Sequence, residues 1–275
     1  MDVVAMKQRF PEIEILENEP LSNYTYTKTG GPSDALVFPD NRHQLIEILE
    51  YAKENHIPWT VLGNASNLIV RDGGIRGIVI LLEKMDHVTV SGMTLTAEAG
   101  AKLVDTTYKA LDASLSGMEF ACGIPGSIGG AIYMNAGAYG GEMSDVVKSV
   151  DILLKDGTVK TLSHEDLNFS YRYSAIRDLE AIVLSATFEL KAGEYAVIEE
   201  KMNELNDLRA SKQPLEYPSC GSVFKRPEGH YTGPLIIEAG LQGLKWGGAQ
   251  VSTKHAGFIV NVDYATATDL SLIHI

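Results

Sequence analysis

The middle of the chain carries a concentration of glycine that could bind a phosphate group. Eight of the 25 residues from 117 to 141 are glycine, against 26 in the whole chain. Glycine lets backbone N–H groups approach a bound molecule and adopt positive φ, and a glycine-rich run that opens a helix forms an electropositive cradle for a pyrophosphate. The run is not a Walker loop, because no Gly-Lys-Ser/Thr follows, and its spacing differs from the Rossmann fingerprint. Tight packing of a glycine-faced helix on a sheet is the alternative that the spacing leaves open.

A second turn offers the same chemistry. It reads Gly63-Asn64-Ala65-Ser66-Asn67 and directly follows a predicted strand. Alone it indicates an ordinary Asn/Ser turn, since these residues favour turns by bonding their own backbone. Two such turns in one protein predict a dinucleotide held across them.

Composition limits the possible partners. The chain has 275 residues, 45% of them hydrophobic, which is enough for two or three lobes. Its net charge of −13 disfavours binding to nucleic acid and to anionic membranes.

The two cysteines, Cys122 and Cys220, exclude a disulfide framework and a cysteine metal cage, and no metal is expected. No apolar run approaches the roughly 20 residues of a membrane span, and the N-terminus lacks a signal-peptide layout. We therefore expect a cytoplasmic protein, with Cys122 a small buried hydrophobe.

The local patterns predict an α+β fold whose strands are antiparallel in style. Helices are expected near 45–52, over 103–111 and from Gly193 to just before Pro214. Hairpins are expected about Ser91-Gly92 and Asp156-Gly157, with further strands over 59–62, 77–82 and 181–190. Thr266 or Thr268 could cap a last helix. The long helix that begins at Gly193 is the predicted domain boundary.

Six short motifs occur in order along the chain. They are Gly63-Asn-Ala-Ser-Asn-Leu, Gly123-Ile-Pro-Gly-Ser-Ile-Gly-Gly-Ala, Asn135-Ala-Gly-Ala-Tyr-Gly, Tyr171-Arg-Tyr-Ser, Gly221-Ser-Val-Phe-Lys-Arg-Pro and Gly247-Gly-Ala. Together they resemble the UDP-N-acetylenolpyruvoylglucosamine reductases, flavoenzymes of peptidoglycan precursor synthesis. The resemblance runs from about residue 23 to residue 269 and is closest to the shorter, second type of the family.

The resemblance implies a two-lobed FAD-binding domain of the vanillyl-alcohol-oxidase (PCMH) type, followed by an α+β substrate domain. The implied ranges are 1–85, 86–205 and 206–275. The implied reaction is NADPH-driven reduction of the enolpyruvyl ether of UDP-N-acetylglucosamine to UDP-N-acetylmuramate. FAD is expected to be non-covalent, because no histidine lies near either flavin motif. The implied FAD contacts are Gly63, Asn64, Ala65, Ser66, Asn67, Gly123, Ile124, Pro125, Gly126, Ser127, Gly129, Gly130, Asn135 and Gly137.

The same resemblance implies the catalytic residues. Arg172 would grip the substrate carboxylate and stabilise the enolate, since a guanidinium can donate two parallel hydrogen bonds. Ser222 would be the proton donor. Lys225, Arg226 and Lys254 would contact the substrate, whose diphosphate suits the local charge of residues 209–226. That stretch has four cations, including Arg209 and Lys212, against one glutamate.

The family's third catalytic residue, a C-terminal glutamate, has no counterpart, because no Glu occurs after Glu238. Residues 270–275 read like a sequencing-adaptor product. We therefore expect a truncated chain with impaired turnover.

Two other functions remain open at this point. One is a different flavin oxidoreductase of the same fold, which would lack the Gly-Ser-Val-Phe-Lys motif. The other is a non-catalytic flavin or nucleotide-sugar sensor, against which the presence of Arg172 and Ser222 argues. A monomer that acts on a small-molecule substrate is expected.

Overall fold

The first lobe is a four-stranded sheet covered by helices, in a computed structural model that describes residues 1–275. Its elements are α1 (Val3–Arg9), β1 (Glu14–Glu17), β2 (Ser33–Phe38), α2 (Arg42–Glu54), β3 (Trp59–Leu62) and β4 (Ile75–Leu81). The strand order is β1-β2-β4-β3, and β4 is parallel to both β2 and β3. The prediction of antiparallel strands is wrong here, because α2 carries the chain back between β2 and β3, as parallel pairing requires. β2 and β4 are accordingly almost fully buried, as parallel strands covered on both faces are.

The second lobe is a five-stranded antiparallel sheet with order β11-β10-β12-β6-β5. Its elements are β5 (Val88–Ser91), β6 (Thr94–Glu98), α3 (Leu103–Asp112), β7 (Leu115–Ser116), α4 (Ile128–Tyr133), β8 (Gly137–Ala138), β9 (Gly141–Glu142), β10 (Val147–Leu153), β11 (Val159–Ser163), β12 (Ile182–Glu189) and β13 (Lys191–Ala192). Both predicted hairpins are confirmed, as β5–β6 and β10–β11. The antiparallel prediction is correct for this sheet.

One hydrophobic core joins the two lobes. It contains 42 buried residues, among them Leu45 and Ile80 of the first lobe and Leu95, Ile132 and Phe188 of the second. Each such side chain contributes about 1.5–3 kcal/mol when it is fully buried. The shared core therefore fixes the two lobes relative to each other, and with them the loops at their junction.

The remaining chain forms a smaller domain behind a long helix. Its elements are α5 (Tyr195–Lys212), β14 (Ser219–Ser222), α6 (Thr232–Glu238), β15 (Lys245–Trp246), β16 (Ala249–Val251), β17 (Phe258–Asn261) and α7 (Ala267–His274). The sheet order is β14-β17-β16-β15, all antiparallel. Of the two threonines predicted as possible caps, Thr266 caps α7, and it forms a capping box with Asp269. The predicted boundary at 205/206 falls inside α5, and the domain ranges stay a prediction.

The helix α5 attaches this domain to the second lobe. Its apolar stripe of Ile198, Met202 and Leu205 packs on Leu111 and on Cys122, which is buried as predicted. The domain itself has a core of only seven buried residues. None of the helices has the length and hydropathy that a membrane crossing requires.

Candidate active site

The two glycine-rich turns meet at the junction of the lobes. The turn 63–67 leaves the end of β3, and Ser127 caps the N-terminus of α4. Ser66 Oγ donates a 2.6 Å hydrogen bond to the Pro125 carbonyl. A Cβ on Gly63 would lie 2.3 Å from Ser127 Oγ, so a side chain at this position would displace the serine hydroxyl. The structure therefore brings together two motifs that are distant in the sequence.

These turns present backbone donors that the protein does not use. None of the N–H groups of residues 64–67 donates to a protein acceptor, and neither does that of Gly126 or Ser127. A Cβ on Gly126 would meet only Ser66 Oγ, at 3.7 Å, and a Cβ on Gly130 only Ser127 Oγ, at 3.5 Å, so neither glycine is tightly packed. Unpaired amides around a concavity form an anion site. The residues present thus fit a pyrophosphate.

Packing accounts for another part of the glycine run. Gly129 lies against Ala99, where a Cβ would be 3.0 Å from the alanine methyl group. The Gly129 and Ile128 N–H groups donate to the carbonyls of Ala99 and Ala101. The packing alternative therefore applies at Gly129, whereas the binding of a phosphate beside Gly126 stays a prediction.

Arg172 is held in place by the motif that begins at Asn135. Its guanidinium donates to the carbonyls of Asn135 (3.3 Å) and Gly137 (3.0 Å) and lies 5.1 Å from the ring centre of Tyr171. The Asn135 side chain is fully buried, accepts from the Ser144 N–H and donates to the Ser170 carbonyl. Asn135 thus ties the motif to the turn that carries Arg172, a structural task that its prediction as an FAD contact did not include.

Arg172 has capacity left for an anionic ligand. No carboxylate oxygen lies within 4 Å of its guanidinium. Its backbone has a φ of 56°, in the left-handed region, a conformation that non-glycine residues adopt mainly where the surroundings enforce it. The guanidinium N–H groups that do not donate to the Asn135 and Gly137 carbonyls can still donate to a carboxylate.

Arg209 is a second cation near the glycine-rich run, beside Gly123. Its Cδ lies 2.8 Å from the position of a Cβ on Gly123, and it has no carboxylate partner. Burial lowers the pKa of its guanidinium, an effect that nearby Tyr139 and Cys122 oppose. The sequence analysis counted Arg209 only as part of a basic patch. The signal for its position was present, because Arg209 continues the buried stripe of Ile198, Met202 and Leu205 at helical spacing.

Ser222 lies at the end of β14, opposite Phe258 of β17. Its hydroxyl is exposed and makes no hydrogen bond within the protein. A Cβ on Gly257 would lie 3.1 Å from Ser222 Oγ and 3.0 Å from the His255 ring. The Gly257 N–H donates to His255 Nδ1. Gly257 therefore provides the room that the Ser222 hydroxyl occupies.

The predicted substrate cations have different surroundings. Lys225 and Arg226 are exposed without a carboxylate partner, and the Arg226 guanidinium lies 4.0 Å from the centre of the Tyr231 ring. Lys254 instead donates to the Ala210 carbonyl near the end of α5 (2.8 Å) and lies 3.7 Å from a Glu216 oxygen. Lys254 thus secures the joint between α5 and the small domain, and substrate contact by it stays a prediction.

Comparison with known proteins gives two matching family models. One, described as FAD binding domain, matches residues 33–163. The other, described as UDP-N-acetylenolpyruvoylglucosamine reductase, C-terminal domain, matches residues 213–274. Among solved structures, the UDP-N-acetylenolpyruvylglucosamine reductase of Thermus caldophilus aligns with a TM-score of 0.83 at 35% identity, over 96% of this chain and 93% of that one.

A more distant likeness concerns the fold alone. A cholesterol oxidase from Brevibacterium sterolicum aligns with a TM-score of 0.51 at 16% identity, over 66% of this chain and 38% of that one. The expected fold class, a two-lobed FAD-binding domain of this oxidase type followed by an α+β domain, is confirmed.

Curated relatives extend over nearly the whole chain. The UDP-N-acetylenolpyruvoylglucosamine reductase of Enterococcus faecalis is 62% identical over 98% of this chain and 90% of its own length. That of Levilactobacillus brevis is 62% identical over 96% of this chain and 88% of its own length. With such identity and coverage joined to the motifs and the fold, the chain belongs to the UDP-N-acetylenolpyruvoylglucosamine reductase family.

Proposed function

We propose that the chain reduces the enolpyruvyl ether of UDP-N-acetylglucosamine to UDP-N-acetylmuramate, with FAD between the two glycine-rich turns and NADPH as reductant. The proposed FAD site depends on one observation. The backbone N–H groups of residues 64–67 and 126–127 have no acceptor in the protein, and the contact between Gly63 and Ser127 keeps the two turns adjacent. When bound, FAD supplies hydride transfer between NADPH and the substrate double bond.

Arg172 binds the carboxylate of the enolpyruvyl group in this proposal. Negative charge grows on that group as the double bond is reduced, and a fixed cation stabilises it more in a dry site than in water. The two carbonyl contacts of Arg172 support this role, since they hold the guanidinium before substrate arrives.

Ser222 donates a proton to the carbon beside the carboxylate. Its hydroxyl has no partner within the protein, so it is free to face the substrate. A serine hydroxyl is a weak acid, and the cations of the same motif, Lys225 and Arg226, would favour the alkoxide that remains.

The substrate diphosphate is bound by cations without carboxylate partners. Lys225 and Arg226 are the candidates on the small domain, and Arg209 is the candidate at the flavin motif, where it serves FAD or substrate. Attraction to an anionic ligand offsets the free-energy cost of desolvating a partly buried arginine.

We further propose that the enzyme acts as a monomer in the cytoplasm. Both glycine-rich turns and Arg172 belong to lobes that share one core within a single chain, which supports a complete site per chain. NADPH and nucleotide sugars are intracellular compounds, which supports the location.

The test separates cofactor binding from chemistry. Purified protein should be yellow and release FAD on acid precipitation, because the flavin is non-covalent. Anaerobic reduction with NADPH followed by the enolpyruvyl ether should reoxidise the flavin, and UDP-N-acetylglucosamine without the enolpyruvyl group should not. Protein that neither carries nor takes up FAD would overturn the proposal. Reoxidation by an alcohol-derived carbonyl compound instead of the enolpyruvyl ether would indicate another oxidoreductase of this fold.

A further inference from the structure

Asn261 links the small domain to the first lobe. It ends β17 and is only 8% exposed. Its Nδ2 donates a 3.0 Å hydrogen bond to the Thr27 carbonyl, 234 positions away, and its Oδ1 accepts from the Ala265 N–H. Both ends of the amide are satisfied, so this is a specific buried contact between distant parts of the chain.

The residue beside Thr27 holds a flavin turn. The Tyr26 N–H donates to the Ala65 carbonyl, and Asn64 Nδ2 donates to Tyr26 Oη at 2.9 Å. Thr27 itself is buried and shares a hydroxyl hydrogen bond with Thr29. The Asn261 contact is therefore connected to the turn 63–67 through residues 26 and 27.

The other end of β17 leads to the proposed proton donor. Phe258, three residues before Asn261, pairs with Ser222 of β14. The Val223 N–H also donates to the Gly257 carbonyl. A continuous set of backbone and side-chain contacts thus runs from the flavin turn through Tyr26, Thr27 and Asn261 to Ser222.

Asp72 makes a second link between the same two domains. One carboxylate oxygen accepts from the Ala267 N–H at 2.8 Å, and the other accepts from the Thr268 N–H and the Thr268 hydroxyl. These donors form the first turn of α7, so the acid also lies at the positive end of that helix. Asp72 and the turn 63–67 lie in the same irregular segment, which connects β3 to β4.

We propose that Asn261 and Asp72 are positioning residues, which set the small domain on the first lobe so that Ser222 faces the bound flavin and substrate. The small core of this domain cannot fix its orientation toward the flavin turn, since its seven residues lie within the domain. Two separated polar contacts join the domain directly to the first lobe, in addition to its joint with α5. The inference rests on the proposed role of Ser222, and a displacement of about 1 Å at a reacting group can cost on the order of 100-fold in rate.

Two isosteric substitutions test this inference. Thr268→Val removes one hydroxyl donor to Asp72 at an exposed site, and Thr268→Ser retains it. Asn261→Asp removes the donor to the Thr27 carbonyl and keeps the acceptor for the Ala265 N–H. Asp263→Asn is the control, because Asp263 is exposed and its side chain makes no hydrogen bond.

We expect FAD content and flavin reduction by NADPH to stay unchanged in all variants. Substrate-driven reoxidation at saturating substrate should fall about tenfold or more in Asn261→Asp and several-fold in Thr268→Val, with recovery in Thr268→Ser. A folding defect alone would not give this separation of the two half-reactions. Unchanged reoxidation in both Asn261→Asp and Thr268→Val would overturn the inference.

Hydrogen exchange distinguishes this failure from failure of the proposed function. The Ala267 and Thr268 amides, which donate to the Asp72 carboxylate, should exchange faster in Asp72→Ala than in the native chain. A native chain whose NADPH-reduced flavin is reoxidised no faster with the enolpyruvyl ether than without it would refute the proposed function. Unchanged exchange in Asp72→Ala would refute the docking contact itself.

Discussion

Gly63 of the first lobe lies directly against Ser127 of the second lobe: a Cβ on Gly63 would lie 2.3 Å from the Ser127 hydroxyl oxygen, so one of the two must move if residue 63 carries a side chain. Gly63→Ala should therefore separate the two turns and weaken FAD binding by about tenfold or more, since the free N–H groups would no longer converge. FAD titration by flavin fluorescence measures this effect. Gly73→Ala is the control, because nothing lies within 4 Å of its Cβ position.

A second variant removes the clash and leaves the alanine in place. Ser127→Ala deletes the hydroxyl oxygen at a cost of about 1 kcal/mol for the helix cap. The double variant Gly63→Ala/Ser127→Ala should bind FAD more tightly than Gly63→Ala alone. Equal affinity of both variants would show that the contact does not control the cradle.

Gly257→Ala should impair the substrate step without affecting FAD. The new methyl group would lie 3.1 Å from Ser222 Oγ and 3.0 Å from the His255 ring, so the serine hydroxyl must move. We expect substrate-driven flavin reoxidation to slow by about tenfold or more, since the proton donor is displaced. Stopped-flow absorbance gives the rate, and Gly233→Ala in the same domain, with no atom within 4 Å of its Cβ position, should match the native protein.

We expect activity to require both the positive charge and the guanidinium geometry of Arg172. Arg172→Met removes the cation and should slow reoxidation by the enolpyruvyl ether by about 100-fold or more. Arg172→Lys keeps a charge but cannot donate to the Asn135 and Gly137 carbonyls and to a carboxylate in the same geometry, so it should recover little. Arg177→Met, at an exposed arginine without an ion pair, is the matched control. Near-native reoxidation in Arg172→Met would remove Arg172 from the mechanism.

Arg209→Met should change stability and ligand affinity in opposite directions. Burial lowers the pKa of Arg209 and no carboxylate compensates its charge, so methionine should leave the ligand-free protein as stable or more stable. Affinity for FAD or for the UDP-sugar should fall by about tenfold, because a charge-assisted hydrogen bond is lost. Thermal unfolding without ligand tests the predicted stability, and titration with FAD and with the UDP-sugar tests the predicted loss of affinity. A destabilised ligand-free protein with unchanged affinities would make Arg209 a structural residue.

Local patterns were sufficient for the elements that depend on neighbouring residues. The two hairpins carry Gly at their turns, and α5 shows its apolar stripe directly, so both were predictable. The parallel pairing of β4 with β2 and β3 was missed, because it depends on which strands the helix α2 places side by side. Pairing direction between strands distant in sequence has no local signature.

The sequence motifs indicated the two turns that lie together at the junction of the lobes, but not the residues that hold these turns in place. Gly63 and Gly126 follow from motif chemistry, whereas the task of Gly129 depends on the approach of Ala99, which only the folded chain reveals. Asp72 and Asn261 bond to groups about two hundred positions away, and nothing in their own neighbourhoods indicates those partners. The position of Arg209 could have been predicted from the sequence, because Arg209 is a charged residue on the otherwise apolar stripe of α5.

The contact of Asp72 with α7 should make stability depend on pH. Partial burial tends to raise the pKa of Asp72, but hydrogen bonds from the Thr268 hydroxyl and from the Ala267 and Thr268 N–H groups outweigh it and lower the pKa. A lowered folded-state pKa means that the contribution is complete above the unfolded value near 3.9 and is lost as the pH falls through the folded value. The Thr266 N–H also lowers the pKa of Asp269. Both Asp72 and Asp269 therefore contribute to the loss of stability of the native chain at acid pH. The free energy of unfolding, measured with urea from pH 6 to pH 3, should therefore fall less steeply in Asp72→Asn than in the native chain, with Asp263→Asn as the control. Parallel curves for Asp72→Asn and the native chain would show that the carboxylate of Asp72 contributes nothing to the docking of α7.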